Sequence, residues 1–179
     1  VELAVCQAWH DLGKIPSAAL ARIKAKAGFS RERIEEVEKV VKHDVVAFLT
    51  SVAEKVGDDA RYIHLGLTSY DIVDTALSLL LKESLEKIRR ELVALQDIIK
   101  NEALRHKKTV CMGRTHGIHA EPITFGIKLL IWYEEVRRHF SRIERALEVI
   151  SCGRISGSVG TYIHLDPRVE EIALKKVGL

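Results

Sequence analysis

The sequence predicts an all-α fold, and three observations carry that prediction. From Ser69 to about His106 there is no glycine or proline, and apolar residues recur at helical spacing, among them Ile72, Ala76, Leu79, Leu85, Ile88, Leu92, Leu95 and Ile99. A second stretch, opened by Pro122 and running to about Ser151, carries Phe125, Leu129, Trp132, Val136, Phe140, Ile143 and Leu147 at spacings of three and four. No segment of convincing length alternates with the period of a strand.

The first long stretch would span roughly 55 Å at the helical rise of 1.5 Å per residue. Helices of that length belong to bundles or coiled coils, where a partner buries the apolar stripe. Before it, shorter helices are marked by their ends. Residues 1–13 stop at Gly13, with Pro16 beyond. Residues 17–27 and 31–42 are separated by Gly28, and Ser30 stands as the cap of the latter. Residues 44–56 align Val45, Phe48, Leu49 and Val52 along one side and end at Gly57. Gly66 marks a turn. After the second long helix comes a glycine-rich stretch, Gly153, Gly157 and Gly160, and Asp166-Pro167 opens a last helix with Glu170 and Glu171 near its first turn. The expected organisation is a small helical domain over residues 1–67, followed over 68–179 by the first part of a long-helix bundle. Two long helices cannot enclose a core alone, so other residues or other subunits must complete it.

Composition narrows the class. With 47% hydrophobic and 30% charged residues the chain can bury a core and stay in water. Its longest apolar run, Ile127 to Trp132, is too short to cross a bilayer, and Val1–Val5 has no basic leader, so neither a membrane anchor nor a secretion signal is expected. The sole methionine is Met112 and the chain opens inside an apolar-periodic helix without a cap, which reads as a fragment. Cys6, Cys111 and Cys152 are odd in number and far apart, which argues for reduced thiols in a cytoplasmic protein and against disulfides or a thiolate zinc site. The net charge of +3 comes from interleaved signs, as in Arg31-Glu32-Arg33-Ile34-Glu35-Glu36, which describes a solvated helix face and not a nucleic-acid stripe.

Chemistry concentrates at three breaks in the helical pattern: Lys42-His43-Asp44, His64-Leu65-Gly66-Leu67-Thr68-Ser69, and Gly113-Arg114-Thr115-His116-Gly117-Ile118-His119-Ala120-Glu121-Pro122. Each combines histidine with small polar residues at a helix terminus, where a rigid scaffold can aim a side chain. Each also has a structural explanation. Asp44 suits a helix N-terminus, and Thr68-Ser69-Tyr70-Asp71 is a capping pattern. Exposed N–H groups at the same ends would equally suit an anion. His116 and His119 have a spacing that chelates metal on a helix, but two glycines flank the pair and no third ligand is apparent, so no metal is expected. There is no nucleophile elbow, no P-loop and no dinucleotide fingerprint.

These blocks, in this order, resemble the adenylosuccinate lyase branch of the fumarase/aspartase superfamily. The resemblance rests on His43-Asp44-Val45-Val46-Ala47-Phe48, on His64 through Ala76, on Gly113 through Pro122, and on Gly157-Ser158-Val159-Gly160-Thr161, and it runs from Val1 to Leu179. The His-Asp-Val-Val-Ala-Phe block separates this branch from argininosuccinate lyase and fumarase. The resemblance implies elimination of fumarate from adenylosuccinate and from the related imidazole carboxamide ribotide, in purine and AMP biosynthesis, without a cofactor. It implies a cytoplasmic homotetramer whose active sites are shared between chains, acting on a small nucleotide and on neither nucleic acid nor membrane. Carried over residue by residue, His116 would be the general acid for the departing amino group and His43 its assistant. Lys42 and Asp44 would flank His43 in the pocket, Thr68 and Ser69 would bind carboxylate or phosphate, His64 would stand close by, and Thr115 would support His116. The family's serine-rich loop, which supplies the base, does not occur within residues 1–179, so this chain alone is expected to be inactive. The competing expectations are another superfamily member, such as argininosuccinate lyase or a carboxymuconate cycloisomerase, and a non-catalytic helical scaffold.

Overall fold

The computed structural model describes residues 1–179 throughout. Seven α-helices dominate: α1 Glu2–Asp11, α2 Ser17–Lys26, α3 Arg31–Val41, α4 Asp44–Val56, α5 Ser69–Arg105, α6 Phe125–Ile150 and α7 Pro167–Val177. A 3-10 turn, Gly57–Tyr62, follows α4. The caps are those the side chains dictate. Ser30 Oγ accepts from Arg33 N–H at 3.3 Å, and Asp166 Oδ1 accepts from Arg168 N–H at 2.9 Å with Pro167 in the first turn of α7. Gly57 and Gly178 end α4 and α7 at positive φ, a conformation that costs glycine nothing.

The contacts divide the chain into two compact units, Val1–Leu79 with Ser151–Leu179, and Leu80–Ile150. In the first unit, Val5, Cys6 and Trp9 of α1 pack with Leu20, Ile155, Val169 and Ala173 into one core. The Trp9 indole N–H donates to the Leu65 carbonyl at 3.0 Å, so burial of the ring leaves no orphan donor. Ile23, Val52 and Val56 form a smaller cluster between α2 and α4. In the second unit, Ile99 of α5 meets Leu129 and Val136 of α6. Much apolar surface of these two helices stays open, including Ile98 at 61%, Leu104 at 58% and Ile131 at 62% exposure, as expected of bundle helices lacking further partners within the unit. No helix is long and apolar enough to cross a membrane.

The structure corrects one part of the sequence prediction. The break before α6 is a β-hairpin: β1 Val110–Thr115 pairs antiparallel with β2 Ile118–Thr124. Pro122 does not open α6. It lies in β2 opposite Met112, which is tolerable because both strands of a two-stranded ribbon are edges. The α6 N-terminus is served by Thr124, whose Oγ1 accepts from Ile127 N–H at 3.3 Å. Two features hid the strands. The register shifts between Met112 and Arg114, so alternation is broken, and Gly113 sits where an added Cβ would lie 2.5 Å from the Glu121 carbonyl oxygen.

Candidate active site

Three helix ends line one open cleft of about 560 Å³ in the first unit. The C-terminus of α3 supplies Glu38 and Lys42, the N-terminus of α4 supplies His43 and Asp44, and the N-terminus of α5 supplies Thr68, Ser69, Tyr70 and Val73. Five of the residues selected from sequence, Lys42, His43, Asp44, Thr68 and Ser69, therefore meet here although α4 and the 3-10 turn separate them in the chain. Two helix N-termini opening on the same cleft bring free N–H groups and the positive ends of two helix dipoles to it.

His43 is itself the N-cap of α4. Its Nδ1 accepts from Val46 N–H at 3.4 Å, and its Nε2 lies 3.5 Å from Ser69 Oγ. With Nδ1 accepting, a neutral imidazole carries its proton on Nε2, the atom that faces Ser69. Asp44 Oδ1 accepts from Val45 N–H at 2.8 Å and leaves most of the carboxylate in solvent. His64 does not line this cleft. Its Nδ1 is 2.7 Å from Glu2 Oε1, and its backbone N–H donates to Glu2 Oε2 at 3.0 Å. A second hollow in this unit, about 380 Å³, is walled mainly by apolar groups such as Phe29, Phe48, Val52 and Ile72 and lacks converging polar side chains.

Thr115 and His116 belong to the second unit, at the tip of the hairpin. Thr115 pairs with Ile118, and His116 and Gly117 form the two-residue connection with φ of 52° and 77°. Positive φ at both central positions is the type I′ turn, whose twist matches the flanking strands. Both side chains are exposed, and so is His119. The His116 and His119 pair therefore sits on a hairpin, and no group of three potential metal ligands occurs in the chain.

Backbone strain marks the same residues. Only four residues other than glycine have positive φ: Lys42, His64, His116 and Tyr162. Three of them are residues singled out by their chemistry. Each such placement costs on the order of 1 kcal/mol or more, and such costs collect where a side chain must be aimed.

The sequence prediction missed two buried polar residues in the first turns of α5. Asp71 was legible only as part of a capping pattern and Thr75 was not singled out by its chemistry, yet both are fully buried. Asp71 accepts backbone N–H bonds from Thr68, Ser156 and Gly157, and Thr75 Oγ1 exchanges bonds with the Arg154 carbonyl at 3.0 Å and the Arg154 N–H at 3.1 Å. The available signal was spacing: Asp71, Thr75 and Ser78 follow an i, i+4, i+7 stripe, a polar line at positions a core normally fills.

Solved structures share this architecture. The 3-carboxy-cis,cis-muconate lactonizing enzyme from Pseudomonas putida superposes with a TM-score of 0.92 at 28% identity, covering 99% of this chain and 43% of that one. A fumarate lyase from Mesorhizobium sp. BNC1 superposes at 0.89 with 29% identity, over 98% of this chain and 43% of that one. The fold is thus that of helical lyases and cycloisomerases. The family model described as Lyase matches residues 1–179, and the chain belongs to that family. Among curated relatives it is 55% identical over 179 residues to adenylosuccinate lyase of Synechocystis, 51% over 182 residues to that of Aquifex aeolicus and 49% over 179 residues to that of Bacillus subtilis. All of this chain is covered in each case, and it spans 42% of the length of these relatives.

Proposed function

We propose that this chain is the substrate-binding and acid-bearing part of an adenylosuccinate lyase. One observation carries the reading: Lys42, His43, Asp44, Thr68 and Ser69 share a cleft onto which two helix N-termini open. That environment suits the carboxylates or phosphate of a succinylated nucleotide, because N–H donors and hydroxyls stabilise anions without presenting a competing acid. The high identity to proteins named adenylosuccinate lyase supports this substrate over the lactone chemistry of the muconate enzyme.

In the elimination, a base takes a proton from the carbon next to the C–N bond. That electron pair becomes the double bond of fumarate, the C–N bond breaks, and the departing amino nitrogen takes a proton from His116. Histidine suits this task because its proton is exchangeable near neutral pH. His43, with Nε2–H toward Ser69, assists at the substrate; Lys42 and Asp44 flank it, Thr115 holds the hairpin tip, and His64 is kept oriented by Glu2. The same chemistry acts on adenylosuccinate, giving AMP, and on the succinylated imidazole carboxamide ribotide, in the cytoplasm. The open apolar faces of α5 and α6 fit helices of other copies in a homotetramer, with residues 68–179 beginning the bundle and residues 1–67 forming the smaller domain.

The test is a chimaera in which residues 1–179 replace the matching segment of the Bacillus subtilis protein. It should release fumarate from adenylosuccinate, and His116→Ala should lower kcat about 10²–10⁴-fold with the fold intact. Turnover unaffected by that substitution would refute the assignment. The 179-residue chain alone should release none.

A further inference from the structure

We infer that Asp71 is a positioning residue for substrate binding: a buried carboxylate that ties Thr68, and through it the adjoining Ser69, to the loop after α6. This rests on the function proposed above and adds a residue to it.

An acidic side chain three residues after a helix cap ordinarily bonds back to the cap N–H and spends its other lone pairs on water. Asp71 does the first: Thr68 N–H donates to its Oδ2 at 3.0 Å. It has no access to water for the rest, being 0% exposed. Its remaining acceptor sites are filled by Gly157 N–H on Oδ2 at 3.0 Å, by Ser156 N–H on Oδ1 at 3.2 Å, and by the Arg154 guanidinium, whose Nε stands 3.4 Å from Oδ1. A buried charge is tolerable only with such complete pairing. A cap needs one of these four partners. The other three belong to a segment more than eighty positions away, which a merely capping residue would not recruit.

That distant segment is itself held at its ends. Glu170 Oε2 accepts from Ile155 N–H at 2.6 Å, and Glu170 Oε1 accepts from the Tyr162 hydroxyl at 2.7 Å. Tyr162 carries one of the four left-handed non-glycine backbones. Asp71 thus fastens the first residue of the binding turn to a fixed point of the fold, while Thr68 and Ser69 keep their hydroxyls for the cleft. Approach is close on this side: an added Cβ at Gly66, φ 79°, would lie 2.5 Å from the His164 carbonyl oxygen. Loosening the carboxylate should let the Thr68-Ser69 turn drift without removing any group that touches substrate.

The experiment uses the chimaera described above with Asp71→Asn, which preserves shape but turns an NH2 toward at least one backbone N–H. KM for adenylosuccinate should rise about tenfold, the effect of one such bond on binding, while kcat and the pH profile of kcat stay near those of the parent. Thr75→Val is the comparison: it removes the neighbouring staple to Arg154 on the same buried face and should lower Tm while leaving KM within about twofold, since no cleft residue hangs from it. If Asp71→Asn lowers Tm but leaves KM unchanged, as Thr75→Val does, the residue is structural only and the inference falls. If Asp71→Asn does not fold, Arg154→Gln decides, because it strips only the half-exposed partner of the carboxylate: a KM raised about threefold supports positioning, and an unchanged KM overturns it. A parent chimaera that folds but does not cleave adenylosuccinate would instead refute the functional assignment. In that case hydrogen exchange of the Thr68 and Ser69 amides decides for Asp71, with faster exchange in Asp71→Asn than in Thr75→Val expected and equal rates overturning it.

Discussion

Replacing His116 by asparagine should make the protein more stable and the enzyme worse. His116 and Gly117 occupy the two central positions of a type I′ turn, at φ 52° and 77°. The histidine is exposed, so little packing is lost when its ring is removed. Asn-Gly is the preferred pair for this turn, and asparagine tolerates the left-handed region because its short amide bonds locally. Holding a side chain with an ordinary Cβ there costs about 1–2 kcal/mol, and relieving part of that should stabilise by about 0.5 kcal/mol. In a domain of this size 1 kcal/mol corresponds to about 2–4 °C, so calorimetry of the 179-residue chain should show His116→Asn melting about 1–2 °C higher. The neighbouring position gives the opposite sign. An added Cβ at Gly117 meets nothing within 4 Å, so Gly117→Ala is penalised by conformation alone and should melt about 2–8 °C lower. In the chimaera His116→Asn should lose most turnover. A Tm that falls for His116→Asn would refute the account, because it would mean the imidazole is held by contacts and not imposed on a strained backbone.

Three further outcomes follow from the packing and the ionisable groups. Gly126→Ala should cost about 1–3 kcal/mol in urea unfolding, because its Cβ would lie 2.5 Å from the Ala103 carbonyl oxygen and 2.7 Å from Lys107 Cα, both backbone atoms that cannot turn aside. Asp166 caps α7, and bonding to Arg168 lowers its carboxyl from 3.8 to about 2; the stabilisation is therefore complete above about pH 4 and is lost as the pH falls toward 2. Acid unfolding of Asp166→Asn should be flatter over that interval, and identical acid limbs would refute the link. Burial pushes the Cys6 thiol up to about 12, its hydrogen directed to the Tyr62 carbonyl, so thiol reagents at pH 8 should reach Cys6 only after denaturation.

The helices were legible because their signals are local. Ser30, Asp166 and Pro167 cap where the sequence says they cap, and the apolar spacing of residues 69–106 yields α5 to within a residue. The hairpin was not, for reasons visible at particular residues. Pro122 read as the first residue of a helix, the bulge between Met112 and Arg114 destroys the two-residue period, and histidine stands where Asn or Asp would have announced the turn. Of the site, the residue types and their blocks could be read directly. Their meeting could not, because nothing in the order of residues says that the ends of α3, α4 and α5 line one cleft. His64 shows the converse: it lies in the same sequence block as Thr68, yet its imidazole turns to Glu2, sixty-two positions away.

The cleft draws its candidate residues from helix ends, and a helix interior uses its own N–H and C=O groups, leaving only side chains to offer, whereas a terminus offers both. Placing Lys42, His43, Thr68 and Ser69 at three termini gives the cleft hydroxyls, an imidazole, an ammonium and free N–H groups together. Termini also fray, and what resists fraying at Thr68 is the buried carboxylate of Asp71, paired with a returning loop that the half-buried Glu170 holds in turn. Left-handed strain at Lys42, His64 and His116 is sustainable only if the surrounding structure is that well determined. A fold selected for stability alone would put Gly or Asn at those three positions and apolar side chains at 71 and 75. The opposite choice at all five puts strain in the backbone turns and buried polar pairing in the first turns of α5, an arrangement that the proposed function explains at Asp71 and at the turns.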